Sequence, residues 1–153
     1  MLVNSSVKSL DVVDMLQTHL ADLHMVYSHL HNFHWNVEGA HFFEYHEHLQ
    51  EMYEDVAEKI DDVAERILQI GERPIANLVE YAQKSSLQSL PSDAVGVPQV
   101  ASYVLSDLNH LISKLREGIK FCNESNDEGT MDFLVEMLRD YEKTRWFWSA
   151  ISA

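Results

Sequence analysis

The sequence predicts an all-α fold in which four helices form a bundle, with a short extra helix in the long connection between the second and third. Three observations support this fold class. The chain of 153 residues contains only 5 glycines and 3 prolines, which is too few for a turn-rich β fold. Four segments carry apolar residues at alternating spacings of three and four, the period of a helix with one buried face. One long connection, residues 72–97, separates the two helical pairs, as in four-helix bundles that contain a crossover.

The first predicted helix covers residues 9–35. Its apolar stripe is formed by Leu16, Leu20, Leu23, Tyr27 and Leu30. His34 is the next position on that stripe, so its imidazole is expected at the edge of the core. Gly39 interrupts the pattern, and residues 36–40 are therefore predicted to form a short loop between two helices.

The second predicted helix covers residues 41–70 and is followed by Gly71, a typical C-terminal cap. Its core face is formed by Leu49, Tyr53, Val56, Ile60, Val63, Ile67 and Ile70. A second, narrower line on the same helix is formed by Ala57, Asp61, Ala64, Glu65 and Leu68. Small residues beside two carboxylates favour the close approach of another helix along this line.

The connection at residues 72–97 exceeds the usual length of a loop between helices, and residues 75–84 within it are predicted to form a short helix. Pro98 begins the third long helix, which extends to Asn123. A polar turn leads to the fourth helix, residues 130–151. The apolar positions of these two helices are Val104, Leu108, Leu111, Leu115, Ile119, Cys122, Leu134, Leu138, Tyr141 and Trp148. Without internal repeats or low-complexity segments, residues 1–153 are expected to form one domain.

The balance of charges excludes several functions. The chain contains 11 Lys and Arg against 25 Asp and Glu, a net charge of −14. Such a surface repels nucleic acid phosphates and anionic membranes and concentrates cations, so DNA binding is not expected. Cys122 is the only cysteine, which excludes an intrachain disulfide. No apolar run reaches the ~18 residues of a membrane span, and the first residues lack signal-peptide features. A cytoplasmic protein is therefore expected.

Four residues form the candidate metal site: His34, His46, Asp61 and Glu65. Imidazoles and carboxylates suit ferrous iron, although Asp61 and Glu65 by themselves would indicate only a solvated acidic face. If residues 41–70 form one helix, His46 and Asp61 are 15 residues apart, or about 22 Å at ~1.5 Å per residue. A metal–ligand bond spans only about 2 Å. Either the two pairs are unrelated, or a second copy of the chain brings its carboxylates to these histidines, which is the interpretation we favour.

An iron site inside one bundle is the main alternative, and the sequence argues against it. Such sites use Glu-x-x-His motifs on facing helices. The chain has one such spacing, Glu38 to His41, which straddles the predicted loop, and none in the third or fourth helix. Around the shared site, His31 is one helical turn before His34 and is a candidate for hydrogen bonding. Trp35 is a candidate for shielding the site from water.

The segment His34-Trp35-Asn36 with Gly39, Phe42 and His46, followed by Asp61 and Ala64-Glu65-Arg66, resembles the ferroxidase signature of the Dps family, the twelve-subunit mini-ferritins. The resemblance covers nearly the whole chain and implies a ferritin-like four-helix bundle. It also implies that His34 and His46 bind iron from one subunit while Asp61 and Glu65 bind it from the two-fold mate. The implied activity is oxidation of Fe(II) by hydrogen peroxide, with ferric mineral stored inside a dodecamer built from two-fold dimers, which protects against oxidative damage.

Two features depart from the family pattern. Members often carry a carboxylate one turn after the second histidine, whereas this chain has Gln50, so the second iron position is expected to be weak or transiently filled. Members that condense DNA often use a basic N-terminal tail, whereas the first ten residues here contain only Lys8. The sequence thus resembles the acidic type, which lacks that tail.

The resemblance also implies an acidic pore through which iron enters the shell. The matching positions are Asp127, Asp132 and Glu136, at the start of the fourth helix. The alternative is that these carboxylates complement the dipole at the N-terminus of the helix. That alternative explains Asp127 well and Glu136 poorly.

Two other functions remain open at this point. A DNA-compacting stress protein would need a basic surface, which is missing. A non-catalytic structural or receptor-binding particle would carry a degenerate site, and the metal content of the purified protein distinguishes it.

Overall fold

The computed structural model describes residues 3–153, with side chains described from Asp11 onward. These residues form five helices and two very short strands in the order α1 (Val3–Asn36), β1 (Val37–Glu38), α2 (Phe42–Gln69), α3 (Leu78–Lys84), β2 (Val95–Gly96), α4 (Val97–Ser125) and α5 (Glu128–Ile151). The helix α1 packs against α2 and α4, α4 packs against α5, and α3 lies in the crossover. The predicted all-α four-helix bundle with a short extra helix is confirmed.

The ends of several helices differ from the prediction. The first helix begins at Val3, six residues before its predicted start. The crossover helix begins three residues later than predicted because the Asn77 side chain accepts a hydrogen bond from the Glu80 amide, 2.9 Å away, and so caps it. The helix α4 continues to Ser125 and ends at Asn126 in the left-handed conformation, with φ of 56°. A cap of this kind stops a helix within one residue, which shortens the predicted turn.

The core is built from the apolar stripes of the four long helices. The fully buried positions include Leu16, Leu20, Leu23, Leu30, Leu49, Ile67, Leu108, Leu111, Leu115 and Leu134. Each such side chain contributes about 1.5–3 kcal/mol relative to an exposed one. Tyr27, Tyr53 and Ile60, which were predicted to face the core, are only half-buried. Within residues 3–153, no helix combines the length and apolar character needed to cross a membrane.

Polar side chains of α1 hold the crossover in place, which the apolar pattern did not predict. The fully buried Asp22 carboxylate accepts hydrogen bonds from the Ser85 hydroxyl at 2.8 Å and from the Ser86 amide and hydroxyl, both at 2.7 Å. His110 of α4 lies 3.1 Å from the same carboxylate. One turn before the end of α1, Asn32 donates to the carbonyl of Pro91 at 3.0 Å. These bonds satisfy a buried charge and fix residues 85–91 against the bundle.

A pair of parallel two-residue strands joins the end of the crossover to the loop between α1 and α2. Val37 pairs with Val95 and Glu38 pairs with Gly96. Val37 and Val95 are both buried, and β1 begins three residues after His34. The crossover therefore supports the loop that separates the two candidate histidine ligands.

His29 makes the second buried attachment of the crossover. Its Nδ1 lies 2.8 Å from Oδ2 of Asp107, and its Nε2 donates to the carbonyl of Gln88 at 2.8 Å. Only 4% of His29 and 6% of Asp107 is exposed. Burial acts to lower the pKa of His29, but the hydrogen bond and charge of Asp107, together with the Gln88 carbonyl, outweigh burial and raise that pKa above 6.5. A protonated imidazole can donate both hydrogen bonds at once.

The stability of the protein should therefore depend on pH through His29. Its folded pKa is raised, so the contribution is fully present below the unfolded value of 6.5 and is lost as pH rises through the folded pKa. We expect the free energy of unfolding to decrease more steeply between pH 6 and 9 in the wild type than in His29→Gln. Urea unfolding across this range measures the difference, with His48→Gln as the exposed control. Parallel pH profiles for the wild type and His29→Gln would show that His29 is not protonated in this pair.

Candidate metal centre

The turn between α1 and α2 brings His34 and His46 face to face. Their ring centroids are 3.6 Å apart and the ring planes differ by 14°. The chain reverses direction through Gly39, with φ of 117°, and His41, with φ of 65°. Both residues have positive φ, a conformation that glycine adopts without strain. His41 is the N-cap residue of α2. The structure thus places together the two imidazoles that the sequence predicted as ligands.

Each histidine is held by the main chain of the other. The Nδ1 of His34 lies 2.7 Å from the carbonyl oxygen of His46, and the Nδ1 of His46 lies 2.7 Å from the carbonyl oxygen of His34. A carbonyl oxygen only accepts hydrogen bonds, so both Nδ1 atoms carry the proton. In a neutral ring this leaves the lone pair on Nε2, the form that binds a metal ion, and an Nδ1 bond to a carbonyl is the usual device that fixes it.

Aromatic side chains surround the histidine pair. Phe42 stacks on His46 with centroids 5.1 Å apart, and Tyr53 presents its ring edge-on to His34 at 5.2 Å. Tyr53 was predicted only as a core residue. Its position two turns after His46 is the signal that could have placed it beside the site, because residues seven apart share a helix face.

His31 contributes ring contacts. Its ring lies 4.3 Å from Tyr53 and is stacked on Trp35 at 4.9 Å with an angle of 4° between planes. Burial, together with the charge of nearby His34, lowers the pKa of His31. Trp35 is 69% exposed in the single chain. Shielding of the site by Trp35 would therefore require a covering surface from another chain.

The two carboxylates lie far from the histidines. Because α2 is one continuous helix, His46 and Asp61 are separated along it by 15 residues, or about 22 Å. Asp61 and Glu65 are both exposed. Among the residues whose positions are described, no group of three or more His, Cys, Asp or Glu side chains could hold a metal ion. Within one chain, the two histidines and the two carboxylates therefore lie at opposite ends of α2.

The line of small and acidic residues on α2 faces solvent. Ala57, Asp61 and Glu65 are exposed, and the Leu68 side chain at its end is 57% exposed. At the other end of the helix, Phe43 is 83% exposed. Large apolar side chains at both ends of an open helix face are typical of a surface that contacts another protein.

A cleft of about 340 Å³ runs between α2 and α5. Glu65 and Arg66 line it from α2, and Glu136 and Asp140 line it from α5. Glu65 was predicted for the metal site and Glu136 for the pore. Both therefore lie on the same side of the bundle. Both carboxylates are exposed, and so is Asp132, one turn before Glu136.

Asp127 has a local structural role. Its carboxylate accepts a hydrogen bond from the Thr130 amide at 3.0 Å and thereby caps α5, and it lies 3.6 Å from the Arg66 guanidinium. These contacts agree with the helix-end alternative for Asp127, whereas Asp132 and Glu136 make no such cap.

Comparisons with known proteins give a consistent result. Residues 13–153 match the Ferritin-like domain family. The chain is 35% identical to DNA protection during starvation protein 2 of Bacillus anthracis over 135 residues, 88% of this chain and 92% of that protein. The crystal structure of a Dps protein from Bacillus brevis superposes with a TM-score of 0.91 at 32% identity, covering 95% of this chain and 97% of the other. The Dps structure from Vibrio cholerae, described as a member of a broad superfamily of ferritin-like diiron-carboxylate proteins, has a TM-score of 0.91 at 27% identity and covers 96% and 92%.

The cap formed by Asp127 can be separated from a role in a pore. Replacing an N-cap Asp by Ala typically costs about 1 kcal/mol, so Asp127→Ala should lower the thermal midpoint and raise amide exchange at Thr130 about fivefold. Asp132→Ala is a matched change at an exposed position of the same helix. It should change the free energy of unfolding by less than about 0.5 kcal/mol. Equal effects of the two substitutions would contradict a specific cap.

Proposed function

This chain belongs to the Dps family of ferritin-like proteins, and on that basis we propose that it oxidises Fe(II) and stores the ferric product in a hollow shell of twelve subunits. The observation that carries the proposal is the reciprocal bonding of His34 and His46, which fixes both rings in the metal-binding tautomer. Fe(II) is the substrate, and His34, His46, Asp61 and Glu65 are its proposed ligands.

Two chains related by a two-fold axis complete the proposed site. If two α2 helices pack antiparallel, each residue faces the one at equal distance on the other side of the axis. His46 would face Asp61 and Glu65 of the partner subunit if the axis crossed α2 midway between these positions in the sequence, near residues 54 and 55. The exposed line through Ala57, Asp61 and Glu65 then lies in the contact, and each dimer contains two equivalent sites.

The proposed ligands suit both oxidation states of iron. Two neutral imidazoles and two carboxylates balance the charge of Fe(II), and carboxylate oxygens stabilise the more highly charged Fe(III) further. Two Fe(II) ions would each give one electron to hydrogen peroxide, which takes up two protons and leaves as two water molecules. We assign to Glu65, rather than Asp61, the contact with two iron ions. Because this reaction consumes ferrous iron and peroxide together, hydroxyl radicals would not form.

The charge of the chain supports iron uptake. A shell of subunits that each carry −14 concentrates cations at its openings. We propose that Asp132 and Glu136, exposed on successive turns of α5, line such an opening. The Asp127 carboxylate is engaged in capping and contributes less.

Protection of DNA would follow from this chemistry without contact with DNA. Relatives carry the name DNA protection during starvation protein, but Lys and Arg number 11 against 25 acidic residues in this chain. Removal of ferrous iron and peroxide protects nucleic acid at a distance.

The shared site can be tested by complementation. A His34→Ala/His46→Ala variant and an Asp61→Ala/Glu65→Ala variant should each be inactive, because each lacks half of every site. A mixed dimer contains one site with no ligand and one intact site. Co-assembly from dissociated subunits should therefore restore about a quarter of the wild-type rate of Fe(II) oxidation, since about half of randomly formed dimers are mixed.

Two controls make the complementation experiment decisive. Sizing and mass spectrometry must show that the particles contain both variants. A site within one chain predicts no recovery at any mixing ratio, and a non-catalytic particle predicts no Fe(II) oxidation by the wild type. Either result would contradict the proposal.

DNA binding should be absent near neutral pH at about 0.15 M salt. Neutralising phosphates requires several clustered cations, and Lys8 is the only Lys or Arg among the first ten residues. A gel-shift assay with metal-free protein tests this expectation, with a variant carrying four added N-terminal lysines as the positive control. Stable complexes of the unmodified protein would support the DNA-compacting alternative instead.

A further inference from the structure

Inside the bundle, a buried histidine ring contacts the sulfur of a buried methionine. The Nε2 of His19, on α1, lies 3.3 Å from Sδ of Met137, on α5. Only 1% of His19 and 4% of Met137 is exposed. A thioether sulfur is a weak hydrogen-bond acceptor, so this contact satisfies the buried imidazole poorly.

Two buried polar atoms near this contact have no hydrogen-bond partner among the residues that the structure describes. They are Nδ1 of His19 and the hydroxyl oxygen of Tyr141, whose ring centroid is 6.2 Å from that of His19. Buried polar groups are nearly always paired, so an unpaired group indicates a ligand or a function. In a metal-bound imidazole, one nitrogen holds the ion and the other donates its proton to a neighbouring acceptor. A metal ion on Nε2 of His19 would make Nδ1 a donor towards the unpaired Tyr141 oxygen.

The distance between the nitrogen and the sulfur suits two ligands of one metal ion. Bonds of ~2.0 Å to the nitrogen and ~2.3 Å to the sulfur would meet at about 100° across the separation of 3.3 Å. This angle leaves space for a third ligand. Met15 is one helical turn before His19, and residues four apart share a helix face. Its sulfur lies against Gly118 of α4, where an added Cβ would come within 2.7 Å of it.

Ligand type and charge favour a soft, monovalent ion at this place. Thioether sulfur selects Cu(I), and imidazole also binds copper. A divalent ion would be more costly to bury. Burial lowers the pKa of His19 to about 4, although the charge of Asp22 acts to raise it. The imidazole is therefore neutral near pH 7, and the fully buried Asp22 carboxylate would attract a cation bound to it.

A cleft of about 190 Å³ between α1 and α4 leads from the surface to this part of the core. Met15 and His19 both lie on its wall. The charged residues that line it are Asp11, Asp14, Lys114 and Glu117. Lys84 forms an ion pair with Asp14, and the acidic groups still outnumber the basic ones. The cleft therefore attracts cations towards the two ligands on its wall.

We propose that Met15, His19 and Met137 form a binding site for Cu(I) inside the bundle of each subunit. The inference goes beyond the proposed function, because none of these residues belongs to the shared iron site. An ion held by these three neutral ligands would be enclosed by the four long helices and separated from solvent.

Anaerobic titration with Cu(I) tests the site through binding alone. The purified His34→Ala/His46→Ala variant competes for Cu(I) with a chromogenic chelator, so the imidazoles of the iron site make no contribution. We expect one Cu(I) per subunit, and X-ray absorption should show two sulfur neighbours at ~2.3 Å and one nitrogen neighbour at ~2.0 Å. Bound Cu(I) should also raise the thermal midpoint, because a ligand of the folded state stabilises it.

Substitutions that preserve volume separate metal binding from packing. Met137→Leu and Met15→Leu, made in the same background, should each weaken Cu(I) binding by more than about tenfold, the smallest loss expected when even a group behind a metal ligand is removed. Leu and Met are similar in volume, so the metal-free variants should remain folded. Met52→Leu changes another buried methionine, six residues after His46, and should leave the affinity unchanged. Unchanged affinity in folded Met137→Leu or Met15→Leu would overturn the proposal.

Cys122 is the competing ligand for Cu(I) in the core. Its side chain is fully buried, and burial raises the pKa of the thiol to about 11, which suppresses the thiolate that binds metals. Cys122→Ala should therefore keep the full affinity. Loss of binding in Cys122→Ala would place the ion on the thiol and refute the site. Absence of stoichiometric Cu(I) binding would also refute it, whereas the oxidation of Fe(II) by the wild type would be unaffected by either result.

Discussion

A straight helix keeps its residues apart, and this constraint governs the chemistry of the chain. The helix α2 runs without interruption from Phe42 to Gln69, so nothing within one chain can bring its histidine end to its carboxylate end. The same rigidity holds the side chains at each end of α2 in fixed relative positions. His46 is fixed by a hydrogen bond to the main chain of His34, and Asp61 and Glu65 project from one face one turn apart. In the proposed dimer, a two-fold axis near the centre of the helix would bring the histidine end of one chain to the carboxylate end of the other, so the same surface would determine both assembly and ligand geometry.

In the proposed dimer, the exposed face of α2 would have to serve both as a contact between subunits and as part of a metal site. A contact between chains favours apolar residues, whereas a metal site needs charged and polar ligands. On α2 the two sets are separated along the helix. Phe43 and Leu68 are exposed near its ends, Ala57 allows close approach near its middle, and the carboxylates lie between. The high negative charge of the chain would oppose association of subunits, so in the proposed shell both apolar contacts and bound cations would favour assembly.

The parts of the molecule that could be predicted from the sequence are those in which apolar residues recur at the helical period. The four long helices and most of their buried positions follow from spacings of three and four, and the spacing between His46 and Asp61 was enough to exclude a site within one helix. The polar attachments of the crossover could not be predicted in this way. Asp22 and His29 look like surface residues in the sequence, and their partners, Ser86 and Gln88, are 64 and 59 residues away. Tyr53 was assigned to the core because a half-buried aromatic side chain beside a ligand follows the same period as a fully buried one. The reciprocal hydrogen bonds between the histidines depend on left-handed torsion angles at Gly39 and His41. In the sequence, only the glycine indicates such a conformation.

The short strand pair also bears on the order in which the structure forms. His34 and His46 are 12 residues apart, so their contact closes a short loop, whereas β1 must find β2 across 58 residues, from Val37 to Val95. Closing the longer loop costs more chain entropy and depends on prior packing of the intervening segments. During folding, the imidazole pair would therefore exist in a hairpin of α1 and α2 before the crossover is docked. A nascent chain would then contain the paired imidazoles of His34 and His46 before the pairing of β1 with β2 adds its support to the loop between them.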